Sequence, residues 1–119
     1  MDQLANGNYN LENRTAKFGE NIIIFCKSIE QNSVTKSIVS QLVRSGTSIG
    51  ANYMEANSAS SKKDFRNKIF LCKKEAQETK HWLRMMVQCT PEHEEIIGKL
   101  WQESQELTMI FQKITSSMS

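Results

Sequence analysis

Glu78 and His81 stand three residues apart, the Glu-x-x-His spacing that helices of a bundle use to hold a di-iron centre. Glu55 or Glu75 would be the further carboxylates. Such a centre needs the motif from two helices, and the only other histidine, His93, has Thr90 three residues before it. No metal is expected, and no other cofactor. Cys26, Cys72 and Cys89 include no close pair, and two of them fall on or beside apolar stripes, where structural thiols are buried. Nucleophile-elbow, P-loop and Rossmann glycine patterns are missing. The sequence predicts no enzyme, no catalytic residue and no small-molecule substrate.

What remains is charge. Residues 60–84 hold eight basic side chains, Lys62, Lys63, Arg66, Lys68, Lys73, Lys74, Lys80 and Arg84, against three acids. Residues 1–59 balance at zero and residues 85–119 carry −3, so the whole chain reaches only +2. A local stripe of this kind suits a phosphate backbone, and repetition around an oligomer would multiply its field. It also suits a solvated lysine-rich helix face. No RRM, KH or zinc-finger pattern accompanies it, so sequence-specific readout is not predicted.

A second polar set lies on the preceding helix, where Arg44, Ser48 and Glu55 flank a core stripe that itself contains Ser45 and Asn52. An antiparallel turn centred near Ala59 would bring Arg44 within a turn of Glu75 and Glu78. It would set Glu55 and Asn52 opposite Lys63 and Arg66. These residues are expected to form a partly buried structural network that fixes helix register, ahead of a ligand site. Arg44→Ala would then cost a few kcal/mol if the pair is buried.

The elements that must position these groups follow from periodicity. The first dozen residues are polar and Asn-rich and are expected to be flexible. From Asn13, taken as an N-cap, Phe18, Ile22, Phe25 and Ile29 step by four, three and four, as on one face of a helix. Ser33 can cap a second helix over residues 34–56, whose stripe is Ile38, Leu42, Ser45, Ile49, Asn52 and Ala56. Ser61 and Asp64 make a capping-box pattern ahead of Phe65, Ile69, Cys72, Ala76, Thr79, Leu83 and Met86. Nothing breaks this third helix before Pro91, giving 28 residues and a length of about 42 Å. Thr90 and Pro91 then read as the start of a fourth, with Ile97, Leu100, Ser104, Leu107, Phe111, Ile114 and Met118. Short connections between four amphipathic helices predict an all-α, antiparallel up-down-up-down four-helix bundle over residues 13–119, with residues 1–12 as a flexible segment.

Composition agrees. The 119 residues include 39% hydrophobic and 24% charged side chains, with one proline and five glycines, which suits one soluble helical domain and disfavours a β sandwich. No stretch approaches a spanning helix and the N-terminus lacks a signal-peptide pattern, so a cytoplasmic protein with reduced thiols and no membrane partner is expected. Ile23, Ile24, Phe70, Leu71, Trp82, Met85, Trp101 and Ile110 lie off the four stripes. That surplus would leave exposed apolar patches, which favours a homo-oligomer. Gly46 and Gly50, four apart in mid-helix, leave room for another helix to approach closely.

Residues 41–56, QLVRSGTSIGANYMEA, resemble the second helix of the bundle proteins encoded in intervening sequences within bacterial 23S ribosomal RNA genes. Residues 74–83, KEAQETKHWL, are similar to that family's glutamate-rich third helix ending in Trp-Leu, and residues 64–68, DFRNK, fit its opening. The resemblance covers roughly residues 13–117, departing at Glu55-Ala56, where the family more often has Glu-Gly. It implies an antiparallel four-helix bundle assembled into a ring, commonly a pentamer, without established catalytic activity. Similar bundles serve retroelements as accessory proteins whose ring binds nucleic acid and a reverse transcriptase. RNA or another nucleic acid is therefore the expected partner; a protein-docking scaffold anchored on Trp82, Trp101, Met85 and Met86 is the alternative.

Overall fold

Leu11 already belongs to a helix. The computed structural model describes residues 10–118, and α1 runs Leu11–Lys27, α2 Ser33–Asn57, α3 Lys62–Cys89 and α4 Glu94–Ser117. Residues 1–9 of the expected flexible segment lie outside the described residues. The helix starts ahead of Asn13 because Leu11 and Thr15 are buried and continue the stripe of Phe18 and Ile22 backwards by steps of four and three.

The caps are built from local side chains. The Asn32 side chain accepts from the Val34 and Thr35 amides at 2.9 Å, and Thr35 Oγ1 accepts from the Asn32 amide at 2.8 Å. This reciprocal box displaces Ser33, the expected cap, into the first turn of α2. Ser61 Oγ accepts from the Asp64 amide at 3.0 Å, opening α3 at the residue expected. Thr90 acts differently from the expectation: its hydroxyl donates back to the Met86 carbonyl at 3.2 Å, closing α3, and Pro91–His93 form a 3-10 turn before α4.

Contacts between neighbours run in opposite directions along the chain, so each adjacent pair of helices is antiparallel. Gly19 meets Thr47 and Gly50 meets Thr15 between α1 and α2. Ser45 meets Thr79, and Ile49 meets Cys72, between α2 and α3. Ser104 meets Ala76, and Gln112 meets Lys73, between α3 and α4. The molecule measures 44 × 23 × 21 Å, its long axis matching the length of α3. The seams are unequal: α2 and α3 pack most extensively, while α1 and α4 meet sparsely. Arg14 spans that thin seam to Glu103 at 2.7 Å and Glu106 at 2.8 Å, and Phe25 meets His93 edge-on with ring centroids 5.9 Å apart.

The core takes the four stripes with one shift. Tyr53 is buried and tilts against Phe111, whereas Asn52 is half-exposed. Ile110, counted above as surplus, also lies in the core. Three polar residues, Ser45, Thr79 and Ser104, are fully buried in mid-bundle. Thr79 Oγ1 bonds Ser45 Oγ at 2.9 Å and the Glu75 carbonyl at 2.8 Å, and Ser104 Oγ donates to the Ala76 carbonyl at 2.7 Å. Each hydroxyl is satisfied, so this layer fixes register without an unpaired polar group.

Cys26 and Cys72 are buried, and burial pushes their thiols from an ordinary 9.0 up to about 11 and about 12. A thiol reagent at pH 8 should therefore label the partly exposed Cys89 in the folded chain and reach the other two only after unfolding, as peptide mass spectrometry would show. The sign of the linkage also follows. Both thiols stay protonated in the fold while the unfolded chain ionises above pH 9, so their stabilisation is full below that pH and is lost as pH rises toward 11 to 12.

Candidate nucleic-acid interface

At about 3.6 residues per turn, Lys62, Lys63, Arg66, Lys73, Lys74, Lys80 and Arg84 fall within an arc of about 120° on α3. Lys62, Lys63, Lys74 and Arg84 are exposed and the other three are half-buried. The half-buried three lean on α4: Arg66 Nε donates to the Thr115 carbonyl at 3.3 Å, Lys73 to Gln112 Oε1 at 2.6 Å, and Lys80 to Gln105 Oε1. Lys68 does not belong to this face. It lies on the α2 side and bonds Glu55 at 3.0 Å, which raises its pKa.

Acids are sorted to the opposite side of the same helix. Glu75 and Glu78 face α2, where Arg44 pairs with Glu75 at 3.2 Å and also with Glu78. The α4 residues meeting the basic face are uncharged or basic. A groove of about 450 Å³ between α3 and α4 is lined by Lys73, Gln77, Thr108, Met109, Gln112 and Lys113, with no carboxylate among them. Glu103 and Glu106 turn away to Arg14. The result is a one-signed seam on a chain of nearly balanced charge.

The polar set expected as one network is divided. Arg44, Glu75 and Glu78 meet as anticipated, with Gln41 adding a contact to Arg44 at 3.3 Å. Glu55 meets Lys68 in place of Lys63, and Arg66 goes to α4. Ser48 bonds the Arg44 carbonyl and Asn52 the Ser48 carbonyl, so both serve their own helix. The Arg44 side chain is 47% exposed, which corrects the expected burial and the stability loss drawn from it. Arg44→Ala should lower stability by under about 1 kcal/mol, less at high salt, and urea melts at two ionic strengths would check it.

Five contributors to this face went unread as such in the sequence. Lys113 and the amides Gln105 and Gln112 join the seam from α4, and only the α3/α4 pairing reveals them. The Phe70 and Trp101 rings, each 38% exposed, sit among the cations. Arg66 lies 4.9 Å and Lys73 5.6 Å from the Phe70 centroid, and Lys80 lies 5.2 Å from that of Trp101. The Phe70 pairs had a local signal, since the cations stand four residues before and three after the ring.

Among the described residues, no group of three or more His, Cys, Asp or Glu side chains is placed to hold a metal ion, and no helix is long and apolar enough to cross a membrane. A family model described as 23S rRNA-intervening sequence protein matches residues 8–117. The chain belongs to that family. A crystal structure of a protein of unknown function from the S23 ribosomal protein family of Bacteroides thetaiotaomicron is similar, with 30% identity and a TM-score of 0.78 over 87% of this chain and 96% of that one. No curated protein matches the chain.

Neither description names a reaction. In this intervening-sequence protein the two stretches that carry the family resemblance both take part in helix packing. Residues 41–56 supply Ser45, Gly46 and Gly50 to the α1 and α3 contacts, and residues 74–83 supply Glu75, Glu78 and Thr79. The second stretch also contributes Lys74, Gln77 and Lys80 to the α3/α4 side. The basic seam on the outer side of α3 carries the remaining chemistry.

Proposed function

We propose that this intervening-sequence protein is a non-enzymatic, ring-forming scaffold that binds RNA through its backbone along the α3/α4 seam. The observation that carries the reading is the sorting of charge across α3: seven cations share the outer face while Glu75 and Glu78 are held by Arg44 on the inner side. A phosphate backbone meeting the seam encounters no carboxylate in the groove between Lys73 and Lys113. Contacts of this type read charge and shape, so the affinity is steeply salt-dependent and largely independent of sequence.

Assembly is supported by a second surface. Ile24, 65% exposed, and Ile96, 42% exposed, lie in a groove of about 510 Å³ along the thin α1/α4 seam, beside Phe25 and Leu100. That apolar lining suits a second copy of the chain, and the family resemblance favours five copies. The seam carrying the cations lies on the other flank of α4, so a ring closed through α1/α4 leaves it open to RNA.

The test is binding of a labelled structured RNA across a salt series, with the mass of the assembly followed by light scattering. Tight binding by an intact oligomer, with a steep negative dependence on salt, is the expected result. No binding at low salt by that same oligomer would leave a protein-docking scaffold as the better reading. A monomer mass at micromolar concentration would remove the ring.

A further inference from the structure

Charge alone serves a duplex as well as a single strand, but the α3/α4 seam also contains two accessible rings. Phe70 and Trp101 are large apolar side chains that the core does not absorb, each 38% exposed, on the neighbouring helices α3 and α4, and Phe70 borders Lys73 of the groove lining. Each is bordered by cations whose other contacts hold them in place: Arg66 on the Thr115 carbonyl, Lys73 on Gln112 and Lys80 on Gln105. Since Lys80 lies over Trp101 and both Arg66 and Lys73 approach Phe70, the rings stand about ten residues of α3 apart, roughly 15 Å. The groove lined by Lys73 also offers the amide of Gln77, a group able to donate to and accept from a base edge, while the Gln112 amide is taken by Lys73 and Ser116.

A duplex keeps its base faces stacked internally and has no use for such rings. An unpaired strand exposes a π-face at every nucleotide and gains from stacking on an aromatic side chain while its phosphates meet cations alongside. We infer that the seam binds single-stranded RNA, with unpaired bases stacking on Phe70 and Trp101 and the backbone tracking Lys62, Arg66, Lys73, Lys80 and Arg84. This rests on the RNA-binding reading above and adds the strand class and the residues that select it. The stripe from Lys62 to Arg84 spans about 33 Å, enough for a single-stranded site of several nucleotides.

The experiment uses the full chain and a labelled 15-nucleotide unpaired RNA, a 15-base-pair RNA duplex, and an abasic strand of equal phosphate count, with polarisation as the readout. The expected order is unpaired strand tightest, with the abasic strand and the duplex weaker by tenfold or more. Phe70→Leu with Trp101→Leu keeps an apolar side chain at each position and removes both rings. It should lose at least tenfold in affinity for the unpaired strand, with an unchanged salt slope and unchanged duplex binding. Equal affinity of wild type for all three probes, or full retention of unpaired-strand binding by the Leu pair, would overturn the inference. If the Leu pair instead loses assembly mass, the rings are subunit contacts and the inference also falls. Loss of RNA binding on removing cations, together with retention in the Leu pair, would sink base stacking while sparing the backbone reading.

Discussion

The variant Lys62→Gln, Lys63→Gln, Arg66→Gln and Lys73→Gln should keep its helices and its assembly mass and bind structured RNA about 10³-fold more weakly at 0.1 M salt. Each lysine or arginine that neutralises a phosphate releases a counterion and contributes about 0.7 to 0.9 to the slope of log affinity against log salt. Removing four such contacts should flatten that slope by about 3, and at 0.1 M salt the same count sets the thousandfold loss. Glutamine keeps the first two methylenes of the stem that covers neighbouring apolar surface. Lys62 and Lys63 are exposed at the first turn of α3, so their replacement does not disturb packing. Arg66 and Lys73 each give up one polar contact to α4, at Thr115 and Gln112. Circular dichroism and light scattering on the variant check that the fold and assembly survive. Unchanged affinity in a variant that remains assembled would remove the case for nucleic acid and leave a protein partner.

Gly46→Ala should destabilise the chain although alanine is the better helix former. A Cβ at this position would lie 3.0 Å from Ile22 Cγ1, 3.1 Å from Cγ2 and 3.3 Å from Cβ. Ile22 is fully buried on α1, so any shift must be taken up by its core neighbours. The helix gains about 1 kcal/mol from losing a glycine, while overpacking a close helix contact costs about 1 to 3 kcal/mol. The clash outweighs the gain, with a net loss of up to about 2 kcal/mol in a denaturant melt. Gly98→Ala is the control, because nothing lies within 4 Å of the Cβ it would add. It should stabilise by up to about 1 kcal/mol. Combining Gly46→Ala with Ile22→Ala should cost less than the sum of the single changes, since the truncated Ile22 no longer meets the new methyl. Equal stabilisation by Gly46→Ala and Gly98→Ala would show that α1 and α2 do not approach as closely as the structure places them.

Sequence reasoning reached as far as interactions that stay within one helix. The core positions Ile69, Cys72, Ala76, Thr79, Leu83 and Met86 were legible from their spacing, and Ser61 marked the start of α3, because both depend on residues at most four apart. Where a local competitor existed, single-site reasoning missed it. Asn32 caps α2 because Thr35 returns its bond, and Thr90 serves the end of α3 instead of opening the next helix. Gly46 and Gly50 announced a close approach, while the identity of the approaching helix, α1, came from the packing.

The site shows the same division. The amino-acid sequence by itself determined that the chain is four amphipathic helices and that α3 carries a surplus of positive charge, since both follow from residue type and a constant helical turn. Only the tertiary structure decided which of those cations meet α4, that Lys68 is withdrawn to Glu55, that Arg44 is exposed, that Lys80 lies by Trp101, and that Lys73 shares a groove with Lys113 and two glutamines. Those facts depend on the register between helices. Register is set by the summed fit of buried side chains such as Ser45 against Thr79 and Gly46 against Ile22, residues 34 and 24 positions apart. A small shift in that fit changes every cross-helix partner while leaving each helix's own pattern untouched.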